Sequence, residues 1–216
     1  MRGVQGAGRE SRSGLSGVEK VVNAKGRHGV GGYRAKPRGD NPHDFFPTPA
    51  PVVRAFIDGP GRDLPDGLWC EPAVGNGDIV RAVGHRKAWV TYDIRDVPDP
   101  GVDLHWPGVN FLKEDLEPNS FDVLVTNPPF RRAEEFVRKA LSCATHVVML
   151  LRLAFLETRR REALHAECPS DVYVLSRRPS FTANGATDSC AYAWFWWGPG
   201  RGGRWEILRT PETKKP

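Results

Sequence analysis

The chain has 216 residues and 39% hydrophobic content, enough for one domain with a full core and too little for a large second one. No apolar run approaches the roughly 18 residues of a membrane span, and no signal-type apolar core opens the chain, so a soluble, cytoplasmic protein is expected. The net charge of +5 divides unevenly: residues 1–40 hold nine Lys/Arg and three Asp/Glu, leaving 22 basic against 23 acidic residues elsewhere.

Residues 1–40 also carry ten glycines and little apolar periodicity. Such a segment buries too little surface to offset its ordering cost and is read as disordered. It is either a basic arm that follows phosphates or a solvated leader. Cys70, Cys143, Cys168 and Cys190 are widely separated, with no CxxC pair and no His at metal spacing; they are read as reduced, mostly buried thiols, and no metal is called for.

The folded part is expected over 41–210, with a disordered end at 211–216. It opens on Asp44, Phe45, Phe46, Pro47, Thr48 and Pro49. Thr48 is placed as a helix cap with Pro49 in the first turn, followed by an apolar stripe of Val52, Val53, Phe56 and Ile57. Leu68 to Glu71 reads as a strand that runs through Pro72 and Ala73 into a loop with Gly75 and Gly77, then a helix through Ile79, Val80 and Val83. Glycines there permit a tight turn and close approach of a ligand. The third glycine of a dinucleotide fingerprint and the Gly-Lys-Ser/Thr of a nucleotide triphosphate loop are both missing from it.

A second strand, Trp89 to Asp93, ends in a carboxylate 16 residues beyond Gly77, about the distance at which such folds offer an acid to ribose hydroxyls. The third strand is placed at Asn110, Phe111 and Leu112. Phe121 to Val125 is a buried strand that stops in Thr126, Asn127, Pro128, Pro129 and Phe130. Asn127 brings a side-chain acceptor, and its place before a proline keeps its backbone extended. Pro128 has no N–H and a fixed φ, so its carbonyl is a second acceptor at a set distance. Phe130 adds a flat apolar face. Two acceptors beside an aromatic plate suit an exocyclic amino group on a planar ring, such as adenine.

A helix with Ala133, Phe136, Val137, Ala140 and Leu141 on one face follows, with Arg131 and Arg132 at its start as phosphate contacts or a solvated pair. His146 to Leu151 is a buried strand, and Glu157 to Glu167 is expected to return as a helix. Val172 to Leu175 and Ala191 to Trp196 read as two more strands, the tryptophans being edge-strand core. Arg177, Arg178 and Phe181 in the loop between them form a basic and aromatic set of the kind that flipped-base contacts require.

The sequence resembles the class I S-adenosylmethionine-dependent methyltransferases, and in particular the DNA adenine-N6 methyltransferases, whose catalytic motif reads Asp/Asn-Pro-Pro-Phe/Tyr; the resemblance covers about residues 44–197. It implies an α/β Rossmann-like class I methyltransferase fold: a mostly parallel seven-stranded sheet with an antiparallel last strand, which puts the 177–185 loop on the ligand-binding edge. It also implies S-adenosylmethionine as cofactor. Phe46 and Thr48 match an aromatic-x-Thr-Pro segment at its methionine end. Glu71, Pro72, Ala73, Gly75 and Gly77 match the glycine motif, with Glu71 near its amino group, and Asp93 meets its ribose. Asn110 and Phe111 match an Asp-Phe-Leu segment beside its adenine, though Asp103 or Asp115 could serve in another register. The implied reaction is methyl transfer to adenine N6 in DNA with relaxed or short-site specificity. Transfer to RNA amino groups or protein glutamine, a non-catalytic methyltransferase-like subunit, and a homodimer stay open.

Overall fold

A computed structural model describes residues 43–84, 87–182, 187 and 189–211; the expectations for the basic segment 1–40, for 212–216 and for Ala183, Asn184 and Gly185 lie outside them. Eight strands among these residues form one sheet in the order β3-β2-β1-β4-β5-β7-β6-β8: β1 Leu68–Glu71, β2 Ala88–Asp93, β3 Leu104–Pro107, β4 Phe121–Thr126, β5 Ala144–Arg152, β6 Asp171–Leu175, β7 Tyr192–Trp197 and β8 Trp205–Leu208. Only β7 opposes its neighbours, pairing antiparallel with both β5 and β6. The expected antiparallel strand is therefore present, and one further strand, β8, pairs parallel with β6 beyond it.

Helices pack on the two faces, as runs of buried Val, Leu and aromatic residues in parallel strands require. On one side, α1 (Ala50–Ile57) and α2 (Asp78–Val83) bury Val52, Val53, Phe56, Ile79 and Val80 against Trp69, Val123, Val125 and Trp194. On the other, α3 (Ala133–Cys143) buries Phe136, Val137 and Ala140 against Leu124, Val147 and Met149, and the short α4 (Glu162–Glu167) adds Leu164. Burying each such large side chain stabilises by roughly 1.5–3 kcal/mol. None of the four cysteines is in a disulfide; Cys70 and Cys143 are buried and Cys168 and Cys190 half-buried.

Several local expectations are corrected. The third strand is Leu104–Pro107, an edge strand that ends where Gly108 turns with φ +72°. Asn110, Phe111 and Leu112 instead begin a 3₁₀ turn, Phe111–Lys113, because the Asn110 side chain accepts from Leu112 N–H at 3.2 Å. Thr48 does not cap α1: Pro49 holds the N-cap position, and its carbonyl accepts from Val52 N–H at 2.9 Å. The helix expected over 157–167 is confined to α4, preceded by a 3₁₀ turn at Arg159–Arg161. Trp194, Trp196 and Trp197 belong to an interior strand rather than an edge, since β7 lies between β5 and β6.

Strand order reverses between β1 and β4, and the crevice at the carboxyl ends of strands flanking such a reversal is where open α/β sheets bind ligands. Glu71 ends β1, Asp93 ends β2 and Asn127 follows β4.

Candidate active site

Three strand ends and one incoming strap, residues 43–49, build the site. The Asn127 amide donates from Nδ2 to the Phe46 carbonyl and to Thr48 Oγ1, both at 3.1 Å. A backbone carbonyl only accepts, so the Phe46 contact settles which way the amide points. Asn127 Oδ1 is left buried with no partner among the described residues. A buried acceptor costs about 1–3 kcal/mol when it stays unsatisfied, so Oδ1 favours any donor that a ligand brings to it.

The strap is tied down a second time. Asp44, buried and at φ +52°, accepts from Arg131 N–H at 3.0 Å. Phe45 faces the glycine loop so closely that a Cβ on Gly75 would lie 2.3 Å from its ring, and Gly75 has φ +57°. Left-handed backbone costs an L-residue roughly 1–2 kcal/mol, and the same ring carries the Arg95 guanidinium 4.2 Å from its centroid. Gly75→Ala is therefore expected to lower the thermal midpoint by several degrees and to weaken cofactor binding about tenfold or more, read by thermal melting and calorimetry; unchanged binding would place the ligand away from the glycine loop.

Asp93 has both carboxylate oxygens engaged. Oδ2 accepts from Gly75 N–H at 2.8 Å and Arg95 Nη2 at 3.0 Å, and Oδ1 accepts from Arg95 N–H and Nε, both at 2.9 Å. Burial pushes its pKa upward, but the Arg95 bonds and charge with the Gly75 N–H outweigh it and hold the carboxyl below its usual range. Glu71 is the opposite case. It is 2% exposed, and its Oε2 has no partner among the described residues. Burial first, and Asp78 and Asp93 after it, push its pKa well above the carboxylate range against the opposing pull of Val80 N–H and Arg81.

A cavity of about 270 Å³ opens beside Asp93 and Asn127, lined also by Phe45, Pro72, Ala73, Ile94, Arg95, Asn110, Phe111, Pro129, Arg131, Arg132 and Phe136 among others. Of the three polar residues left open in the third-strand region, Asn110 lines it. Asp103 accepts from Trp89 N–H at the start of β2, and Asp115 is exposed. Glu71, Phe46, Thr48 and Asn127 meet at a smaller adjoining recess. Gly77, at φ +75°, caps α2 without lining the larger cavity.

Phe130 is enclosed rather than bare. Its ring lies 5.5 Å from Phe46, 6.1 Å from Phe181, 5.5 Å from Tyr192 and 4.9 Å from the Arg152 guanidinium. Phe181, read with Arg177 and Arg178 as one flipped-base contact set, is an anchor of this cluster at 9% exposure, while Arg177 and Arg178 are exposed. Arg132 pairs with Glu135 at 2.8 Å, whereas the Arg131 side chain is exposed. Sequence reading missed Asp44, Phe45 and Arg95. Arg95 alone left a signal, a cation two residues beyond a strand-terminal acid; the other two matter only through the path of the strap.

Neither the family models nor the curated protein sequences yield a match to this chain. Among solved structures, it is similar to a proposed RNA methyltransferase from Pyrococcus horikoshii, at 13% identity and TM-score 0.57 over 74% of this chain and 89% of that one. It is similar to the methyltransferase subunit of a type I restriction-modification system from Streptococcus thermophilus, at 16% identity and TM-score 0.52, over 76% of this chain but only 47% of that one. The 23S rRNA methyltransferase ErmE is matched at 17% identity and TM-score 0.52, over 74% and 71% of the two chains. The chain thus spans about half the length of the restriction-modification subunit. What these likenesses share is the Rossmann-like class I methyltransferase fold.

Proposed function

We propose that the chain transfers a methyl group from S-adenosylmethionine to an exocyclic amino nitrogen of a nucleic-acid base, adenine N6 in DNA being the main reading. The observation that carries it is the orientation of Asn127: its donors are spent on Phe46 and Thr48, and its acceptor is buried and unpaired at the end of β4. An exocyclic amino group brings the donor that this oxygen lacks. Pro129 O is taken by Arg132 N–H at 2.9 Å, so Pro128 O is the carbonyl assigned as second acceptor. Two hydrogen bonds accepted from the amino nitrogen draw its lone pair out of the ring and make it a better nucleophile.

The residues present fit the cofactor. Glu71, when ionised, complements its ammonium group, and the Asp93 bonds now made by Arg95 are of the kind that ribose hydroxyls would replace. Ile94, Asn110 and Phe111 line the place for an adenine ring. When bound, S-adenosylmethionine supplies an electrophilic methyl group on a sulfonium, so the protein needs neither a metal nor a strong base. The strap holds Phe46 and Thr48 on Asn127 and excludes water, and the work of the chain is orientation. An amide is no base, so the proton released from the amino nitrogen passes to water. The enclosed Phe130 supports the base pocket as one wall of an aromatic cluster.

Domain limits of 41–210, with 1–40 as a basic arm of balance +6, belong to the same reading; such an arm adds phosphate affinity without reading sequence. A second reading, an RNA amino group, is favoured by coverage. The chain accounts for 89% of the RNA methyltransferase's length and 47% of the restriction-modification subunit's. The test is labelled methyl transfer to unmethylated DNA, to RNA and to cell protein, with digested nucleosides resolved. N6-methyldeoxyadenosine is the expected product, label in RNA alone selects the second reading, and label in protein alone rejects both.

A further inference from the structure

Outside the cofactor cavity, two more recesses open on the carboxyl edge of the sheet, one at the start of α3 and one at the start of α1, helices that pack on opposite faces. The first, about 230 Å³, starts at Phe130 and is lined by Arg131, Arg132, Arg160 and Arg161 together with Glu134 and Glu135. The second, about 160 Å³, starts at Pro49, next to Thr48, and is lined by Arg177, Arg178, Ser180 and Thr210. Thr210 is 9% exposed, and its hydroxyl has no partner among the described residues.

These arginines are a local concentration and not a reflection of overall charge. Residues 41–216 balance 22 basic against 23 acidic side chains, yet the segments after β4, β5 and β6 carry Arg131 and Arg132, Arg159 to Arg161, and Arg177 and Arg178. Some already hold carboxylates: Arg132 pairs with Glu135, and Arg160, 79% exposed, reaches Glu134 at 3.2 Å. Exposed pairs of this kind are worth only about 0–1 kcal/mol, so an arriving dianionic or polyanionic ligand can take the guanidinium over. Arg161 is fixed in place instead, donating to the Ala154 and Glu157 carbonyls.

We propose that the two arginine-lined recesses hold the phosphodiester backbone of a nucleic acid on both sides of the target base. The inference rests on the proposed role of Asn127 and adds the residues that grip the strand. The arrangement itself calls for a backbone: the Asn127 acceptor follows β4 at the sheet's carboxyl edge and a cationic recess opens at the start of a helix on each face, so a ligand that fills both carries negative charge on two sides of the group it presents. A nucleotide within a strand does so through its two flanking phosphates. A glutamine within a peptide is flanked by neutral amides. Guanidinium forks are phosphate partners in both chemistry and reach.

Binding of fluorescent single-stranded and duplex DNA and RNA of one sequence to the full chain, across a salt series, tests the proposal. Arg160→Gln addresses the first recess and the double variant Arg177→Gln/Arg178→Gln the second, with thermal melting and S-adenosylmethionine affinity as checks on folding. Each is expected to weaken binding several-fold at low salt and to flatten the plot of log affinity against log salt by about 0.7 for every single-strand phosphate the variant no longer neutralises. DNA and RNA arms identify which backbone fits. Unchanged affinity and slope in both variants overturn the proposal, as does an equal weakening on polyglutamate, which would mark a site for acidic protein. Arginine-dependent binding without any methylated nucleoside supports the recesses and rejects the activity, whereas methylation that ignores both variants rejects the recesses alone.

Discussion

Asn127→Ala is expected to slow methyl transfer about 10²–10³-fold, the scale seen when one preorganised polar group is removed from a reacting centre. The measurement is a single-turnover rate at saturating cofactor, because the same side chain anchors the strap through Phe46 and Thr48 and its removal also loosens the cofactor site. Asn127→Asp separates the two roles. It keeps an acceptor toward the substrate but loses the donor to the Phe46 carbonyl, and Thr48 can turn its hydroxyl to donate instead. The Asp variant should therefore fall between wild type and Ala. If both variants are equally slow, the anchor is the whole contribution of Asn127, and the acceptor role falls with it.

The place of that motif at the end of β4 was readable because its conformation is local: Asn before two prolines leaves few conformations. Glu71 and Asp93 were readable for a similar reason, since each ends a strand of buried residues beside a glycine loop. What escaped depends on distance in the chain. The Asn127 donors reach 81 and 79 residues back to Phe46 and Thr48, and nothing in either segment announces the other. Thr48 reads as a helix cap by every local rule, yet its hydroxyl is claimed by a partner from β4's end. Asn110 to Leu112 has strand-like residues and becomes a turn because one side-chain oxygen caps it. Phe130 reads as a free plate only until Phe181 and Tyr192, from beyond β5, close around it. The grouping of arginines beyond three strand ends is invisible in a charge count that sums to near zero.

Cofactor affinity is expected to rise with pH above the ordinary carboxylate range, because Glu71 must ionise to meet a cationic amine. In the free protein its carboxyl is held neutral well above its usual range, by burial first and by Asp78 and Asp93 in addition. Binding then releases a proton, and Kd falls by up to about tenfold per pH unit while Glu71 is mostly protonated. The rise ends when Glu71 ionises unaided or when the amine itself loses its proton, near 8 for an ordinary α-amine. Stability runs the other way. A raised folded-state pKa contributes stability that is fully present below the unfolded value and is lost as pH rises through the folded one. Asp93, whose carboxyl is lowered, contributes above its unfolded value and loses that contribution as pH falls through its own, so its window lies at more acid pH and does not overlap. Glu71→Gln should flatten both trends, leaving a binding affinity and a melting temperature that no longer move in opposite directions above the ordinary carboxylate range. Calorimetry in two buffers of different ionisation enthalpy counts the proton directly. A wild-type Kd that is level above that range, with no proton released, would place the cofactor's amino group away from Glu71 and leave Asp93 as the acid that orients it.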